Sequence, residues 1–212
     1  MTDDYVLKPP VTVCVLAGGM SRRMGDTNKL LLPYQGQPMV RHVVGQALEV
    51  ACGPVWVVTG FQAAAIRHAL SGLNIHFVHN PDYLEGQAAS VRTAAGIDGS
   101  AALLVLLADM PKIDAALIHA LSRAYDQRRH RAHNSTDYAV VRPVFQNRSG
   151  NPVLWGPGWL PRLRQLQGDE GARTLLASYT GEVTLVPVTD NAIFADVDQP
   201  ADLSAFGMTL PG

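Results

Sequence analysis

A three-layer α/β/α fold, with a mostly parallel, mixed sheet between two layers of helices, follows from three features of the 212-residue sequence. Apolar, β-branched runs alternate with segments of helical periodicity from Val11 to about Arg128, and that order calls for parallel strands joined by crossover helices. Two of these runs, residues 11–16 and 102–107, carry almost nothing polar, as suits strands covered on both faces. The segments richest in chemistry directly follow those same runs, and open α/β sheets bind ligands beyond the carboxyl ends of their strands.

Taken in order, residues 11–16 form the first strand, ended by Gly18-Gly19, a pair that allows a tight turn and close approach of a ligand to the backbone. Pro38 precedes residues 39–51, where Val40, Val43, Val44, Ala47, Leu48 and Ala51 recur at helical spacing until Gly53-Pro54. Strands at 55–59 and 75–78 bracket a helix at 62–70, and a helix at 87–97 is entered through Asn80-Pro81 and Glu85-Gly86. Residues 102–107 are the most apolar strand. An amphipathic helix at 114–128 turns Leu117, Ile118, Leu121 and Tyr125 inward. Residues 128–136 are basic, polar and irregular. Beyond them lie strands at 138–144 and 151–155 about a turn at 146–150, short helices at 156–166 and 171–179, strands at 182–188 and 192–195, and a last helix at 201–206. The expected organisation is one domain over residues 11–206 with short tails, 1–10 and 207–212.

Acidic and basic residues nearly cancel, for a net charge of -1, so no global field draws the chain to nucleic acid or an anionic membrane. The first ten residues include Asp3 and Asp4 and lack the apolar core of a secretory signal. No apolar run is long enough to span a bilayer, and the chain is expected in the cytoplasm. Cys14 and Cys52 are too few for a disulfide framework or a cysteine-rich zinc site and read as reduced thiols. His76 and His79 face opposite sides of a strand, and no G-x-S-x-G elbow is present.

The stretch Leu16-Ala17-Gly18-Gly19-Met20-Ser21-Arg22-Arg23-Met24-Gly25, followed by Lys29, combines free backbone with one hydroxyl and three cations. That combination suits a polyphosphate, although its spacing is neither that of the dinucleotide fingerprint nor that of the P-loop. It resembles the signature of the MobA-like NTP transferase family, with further motifs most similar to the molybdenum cofactor cytidylyltransferase branch. The resemblance implies a Rossmann-like nucleotidyltransferase fold and transfer of CMP from CTP to molybdopterin-type cofactor with release of pyrophosphate. It carries triphosphate contacts onto Leu16, Ala17, Gly18, Gly19, Ser21, Arg23 and Lys29, with Lys29, Arg23 and Asp109 catalytic. Leu-Ala-Asp109-Met-Pro and Asp196-Val-Asp198-Gln-Pro are similar to the family's two metal-carboxylate segments, so Mg²⁺ is expected between Asp109 and Asp198, with Asp196 a substitute ligand.

Gly86-Gln-Ala-Ala-Ser90 resembles the segment beside the base, which makes Ser90 a base or ribose contact; a helix N-cap accounts for it equally well. Gly150-Asn151-Pro152-Val and Gly168-Asp169-Glu-Gly-Ala-Arg173 resemble the acceptor-binding half of the cytidylyl branch. A turn asparagine and a surface pair between Asp169 and Arg173 are the plainer alternative. The Ala17-Gly18-Gly19 triplet, by contrast, is similar to the guanylyl branch, so GTP stays open as the donor. A sugar-phosphate nucleotidyltransferase and a silent nucleotide-binding module also stay open. The implied partners are the triphosphate, the cofactor, and transiently a molybdenum hydroxylase or its chaperone.

Overall fold

The computed structural model describes residues 11–25, 27–51, 54–97, 102–131, 138–168, 172–179 and 181–210. Its strands are β1 (Val11–Ala17), β2 (Pro33–Tyr34), β3 (Gln37–Pro38), β4 (Val55–Thr59), β5 (Ile75–His79), β6 (Ala102–Leu107), β7 (Val140–Phe145), β8 (Arg148–Ser149), β9 (Val153–Trp155) and β10 (Val183–Pro187). Its α-helices are α1 (Met39–Val50), α2 (Ala63–Ala69), α3 (Gln87–Ala95), α4 (Ala115–Arg131), α5 (Leu160–Leu163) and α6 (Arg173–Ala177).

The main sheet runs β10-β7-β9-β6-β1-β4-β5, with β8 hydrogen-bonded to β7. β1 is parallel to β4 and β6, and β4 is parallel to β5. β9 runs antiparallel between β6 and β7, which makes the sheet mixed.

Period-two alternation divides the central strands between two cores. Val13 and Val15 of β1, with Leu104 and Leu106 of β6, pack with Val40, Val43 and Val44 of α1 and with Ile118 and Leu121 of α4. Cys14 and Leu16, with Leu103 and Val105, face Val91 and Ala94 of α3 and the buried Trp159, Leu160 and Leu163. Burial raises the thiol pKa of Cys14, which is unpaired and inert at neutral pH. Cys52 lies outside the described residues.

Three segments differ from expectation. Pro33–Pro38 is a small hairpin of β2 and β3 about Gln35 and Gly36, both at positive φ, 50° and 80°; strands of two residues carry no readable period. α4 continues to Arg131 instead of giving way to irregular chain at Arg128, whose guanidinium bonds Thr184 Oγ1 at 3.0 Å and Glu182 at 3.2 Å, tying the helix to the β10 edge. Residues 192–195 are not a strand. Ala192–Phe194 is a 3-10 turn, begun by Asp190 Oδ1 accepting from Ala192 N at 2.8 Å and closed by Ala195 N on Ala192 O at 3.0 Å. Among the described residues no helix is long and apolar enough to cross a membrane.

Candidate active site

Because β1 and β6 are parallel neighbours, the chain leaves both at the same sheet edge. Ala108 N donates to Leu16 O at 3.1 Å, carrying the ladder one residue past β6 and bringing Asp109 out beside the glycine loop. Val197 N then donates to Asp109 O at 2.9 Å, drawing the segment with Asp196 and Asp198 against it. A cleft of about 550 Å³ opens at this edge, lined among others by Leu16, Gly18, Gly19, Ser21, Arg23, Lys29, Ser90, Asp109, Asn151 and Asp198.

The loop is held by its own polar groups. Ser21 adopts the left-handed conformation at φ 51°, its carbonyl accepts from Met24 N at 2.8 Å, and its Oγ accepts from Lys29 N at 3.3 Å. Asn28 Oδ1 caps the following turn by accepting from Leu30 N at 3.1 Å. Met24 and Leu30 are anchored in the core on either side of Lys29, which lines the cleft.

Lys29 is 7 % exposed. Its ammonium lies 2.8 Å from Asp109 Oδ2 and 3.6 Å from Asp198 Oδ1. Asp198 Oδ2 is paired in turn with Arg23, whose side chain is 70 % exposed. Two carboxylates distant in sequence thus converge on one buried cation, as burial of such charge requires. Asp196 also lines the cleft, and burial, reinforced by the charge of Asp109, raises its pKa above the usual carboxylate value. Among the described residues no group of three or more His, Cys, Asp or Glu side chains gathers as a metal cage. Asp109 and Asp198 both line the cleft, and one or two carboxylates completed by water and substrate phosphates make a donor set that would suit Mg²⁺.

Ser90 sits inside α3, whose N-cap is Gly86, so it is not an N-cap. Its hydroxyl accepts from the buried Asn80 Nδ2 at 3.2 Å and meets the cleft beside Gly18. Behind it Arg92 bonds Glu85 Oε2 at 2.5 Å and Leu166 O at 2.8 Å, pinning the Tyr83–Glu85 turn. Asn151 reaches the cleft, and its N–H donates to Ile193 O at 3.2 Å. Pro152 is buried, and Ala17 is buried as the last residue of β1; neither is among the lining residues. Asp169 and the side chain of Arg173 lie outside what the structure describes.

Sequence reasoning did not single out Tyr83, Leu84, Ile193 or Phe194, all of which line the cleft. Leu84 is 61 % exposed. Each reads in sequence as an ordinary core residue, and only the neighbouring Glu85-Gly86 and Asp196-Val-Asp198 motifs hint at their position.

Fold and cleft together place the chain among the α/β proteins of nucleotidyltransferase fold. Residues 13–183 match the MobA-like NTP transferase domain, and the chain belongs to that family. Nicotine blue oxidoreductase of Paenarthrobacter nicotinovorans is 29 % identical over 192 residues, 90 % of this chain and 93 % of that protein. Bifunctional protein GlmU of Cupriavidus necator is 34 % identical over 112 residues, 52 % of this chain; the chain spans 25 % of the length of that relative. Among solved structures, Rv0371c from Mycobacterium tuberculosis H37Rv aligns with a TM-score of 0.73 at 26 % identity over 92 % of this chain and 96 % of that one.

Proposed function

We propose that the chain is a cytidylyltransferase that joins CMP from CTP to molybdenum cofactor, releasing pyrophosphate. The observation that carries this reading is the ammonium of Lys29 held by Asp109 and Asp198 at the end of the glycine loop. An oxygen of the acceptor's terminal phosphate bonds to the α-phosphorus, and the bond from that phosphorus to the bridging oxygen breaks, pyrophosphate leaving with the electron pair. The attacking phosphate is already ionised at neutral pH, so no general base is needed. Charge gathers on the transferring group, and fixed cations suit it better than a nucleophilic side chain. Lys29 serves as a point charge and Arg23 as a planar fork, both turning from carboxylate to phosphate oxygens when the triphosphate enters.

Asp109 and Asp198 would hold Mg²⁺, which supplies Lewis-acid stabilisation to the triphosphate when bound. The acceptor assignment is supported by the motifs around Asn151 and Arg173, and the product would pass to a molybdenum hydroxylase or its chaperone. GTP as donor is the second reading, favoured by the Gly18-Gly19 pair beside Ser90. Incubating the protein with each triphosphate, Mg²⁺ and molybdenum cofactor, then identifying the dinucleotide by mass, tests both. Cytosine dinucleotide with pyrophosphate is the expected product; guanine dinucleotide alone moves the assignment to GTP, and no dinucleotide with any triphosphate removes it.

A further inference from the structure

We propose that Leu84 is an apolar cover for the base of the nucleoside triphosphate, and that Arg92, acting through Glu85, is the positioning residue that holds this cover at the cleft; this deepens the transferase reading and rests on it. Leu84 lines the cleft and is 61 % exposed, so its side chain has a face free for a ligand. A lone exposed leucine is ordinary on a protein surface; what sets this one apart is its place in the lining. The stretch around it also brings Tyr83, Gly86, Gln87 and Ser90 to the cleft, and none of these carries a charge. The cations and carboxylates of the cleft come from other parts of the chain, the glycine loop, Asp109 and the Asp196–Asp198 segment. Phosphates belong with those charges, whereas the base is the part of the nucleotide that gains by losing water on a leucine, because its faces are apolar whatever its edge carries.

Polar bonds, more than packing, hold the 3-10 turn Tyr83–Glu85 in place. The buried Asn80 divides its amide between the turn and the cleft wall: Oδ1 accepts from Asp82 N at 3.0 Å, and Nδ2 donates to Ser90 Oγ at 3.2 Å. Glu85 N donates to Asp82 O at 2.9 Å. From α3, Arg92 Nη2 donates to Glu85 Oε2 at 2.5 Å and stands 3.9 Å from Asp82 Oδ2, while its Nη1 is fixed on Leu166 O at 2.8 Å. Tyr83 is seated so closely on Gly60 that a Cβ there would lie 2.6 Å from Tyr83 Cβ. With Tyr83 seated and Glu85 drawn to Arg92, Leu84 between them is left at the rim. The Glu85 side chain is 55 % exposed, and an ion pair so open to water adds little to folding stability. Its effect falls on where Leu84 stands, and holding a contact group ready lowers the entropy lost on binding.

The test is calorimetric titration of the full chain with CTP, GTP and pyrophosphate, each with Mg²⁺ and without acceptor. Leu84→Asn should weaken CTP about fivefold, the scale of burying part of one leucine side chain, and leave pyrophosphate affinity and melting temperature unchanged, whereas Leu84→Met retains CTP affinity. GTP should weaken by the same factor, since the cover meets the face of a base and not its edge. Glu85→Gln should weaken CTP about twofold, and the double variant with Leu84→Asn should lose no more than Leu84→Asn alone, as expected where one residue acts through the other. Arg92→Gln should match Glu85→Gln and Arg92→Lys recover part of the loss; Glu85→Gln carries the test if the Arg92 variants do not fold. Unchanged CTP affinity in Leu84→Asn, or an equal loss for pyrophosphate, overturns the cover, and additive losses in the double variant overturn the positioning role. Leu84-dependent CTP binding without nucleotidyl transfer to any acceptor would keep the cover and sink the transferase; turnover whose CTP KM ignores Leu84→Asn would do the reverse; a wild type that binds no nucleotide sinks both.

Discussion

Lys29 and Asp109, separated by 80 positions in the chain, meet through an ammonium-to-carboxylate contact of 2.8 Å at the edge where β1 and β6 end. The pair couples the glycine loop to the strand that presents the proposed metal carboxylate. If Lys29 stabilises phosphate charge at the transition state, Lys29→Ala lowers the rate of pyrophosphate release about a hundredfold, the scale of losing one preorganised charge contact. Asp109→Asn at the same time raises the Mg²⁺ concentration needed for half-maximal rate. Release within a fewfold of wild type in Lys29→Ala would leave Lys29 a structural ion pair.

A second expectation concerns the backbone under the cleft. A side chain on Gly60 would come 2.6 Å from Tyr83 Cβ and 2.7 Å from Gly18 O, whereas one on Gly19 would meet nothing within 4 Å. Gly60→Ala must therefore push Tyr83 off the loop or move β4, at a cost of ~1–3 kcal/mol typical of overpacking. Gly19→Ala should melt within a degree or two of wild type. Equal melting temperatures for the two variants in differential scanning calorimetry would contradict the close packing of Tyr83 on the loop.

The parts of this molecule legible in its sequence are those where a long period or a dense motif dominates. Val13, Val15, Cys14 and Leu16 alternate between two cores, so their strand needs both faces covered and announces itself as a fully apolar run. The convergence of Asp109 and Asp198 could be expected because each follows a segment bound for the same sheet edge. The turn at Ala192–Phe194 was not legible, since Ala-Ile-Phe has β character and only the Asp190 cap and the close approach of Gly150 bend it. Ser90 was ambiguous for a similar reason: a serine shortly after Gly86 suits an N-cap, but the helix starts at Gln87 and leaves its hydroxyl to Asn80. The exposure of Leu84 depends on a turn pinned by Arg92, which no local pattern encodes.

One part of the pH response follows from His42. Burial lowers its pKa below the ordinary imidazole value, partly opposed by its hydrogen bond to the Pro111 carbonyl. The unfolded chain therefore takes up the proton at higher pH than the native state, and stability falls as pH drops through ~6.5 and on toward the depressed value. The ring also meets Tyr34 edge-on at 4.8 Å, so His42→Gln should cost some packing at every pH. What should change is the slope: between pH 7.5 and 5, roughly the range in which imidazole titrates, the melting temperature of His42→Gln should fall less than that of wild type. Parallel curves would remove His42 from the acid response.

If the cleft seats the base of the triphosphate beside Ser90, donor choice turns on Gly18. A methyl group there would stand 3.3 Å from both Gly60 N and Ser90 Oγ, tight enough that one neighbour must yield. The backbone of Gly60 is held, because Phe61 N donates to Gly18 O at 3.3 Å and Tyr83 lies on its other side. Ser90 is then the group that moves, giving up part of its bond from Asn80 and reshaping the cleft wall it lines. The wild-type glycine thus leaves a wider floor, and its selectivity for CTP over GTP should be weaker than that of Gly18→Ala. One methyl in a pocket discriminates by ~1–3 kcal/mol, so roughly a tenfold change in the ratio of kcat/KM values is expected. Competition kinetics with both triphosphates measure it directly. A wild type that strongly prefers GTP would reverse the donor assignment, and an unchanged ratio in Gly18→Ala would show that the base does not sense this floor.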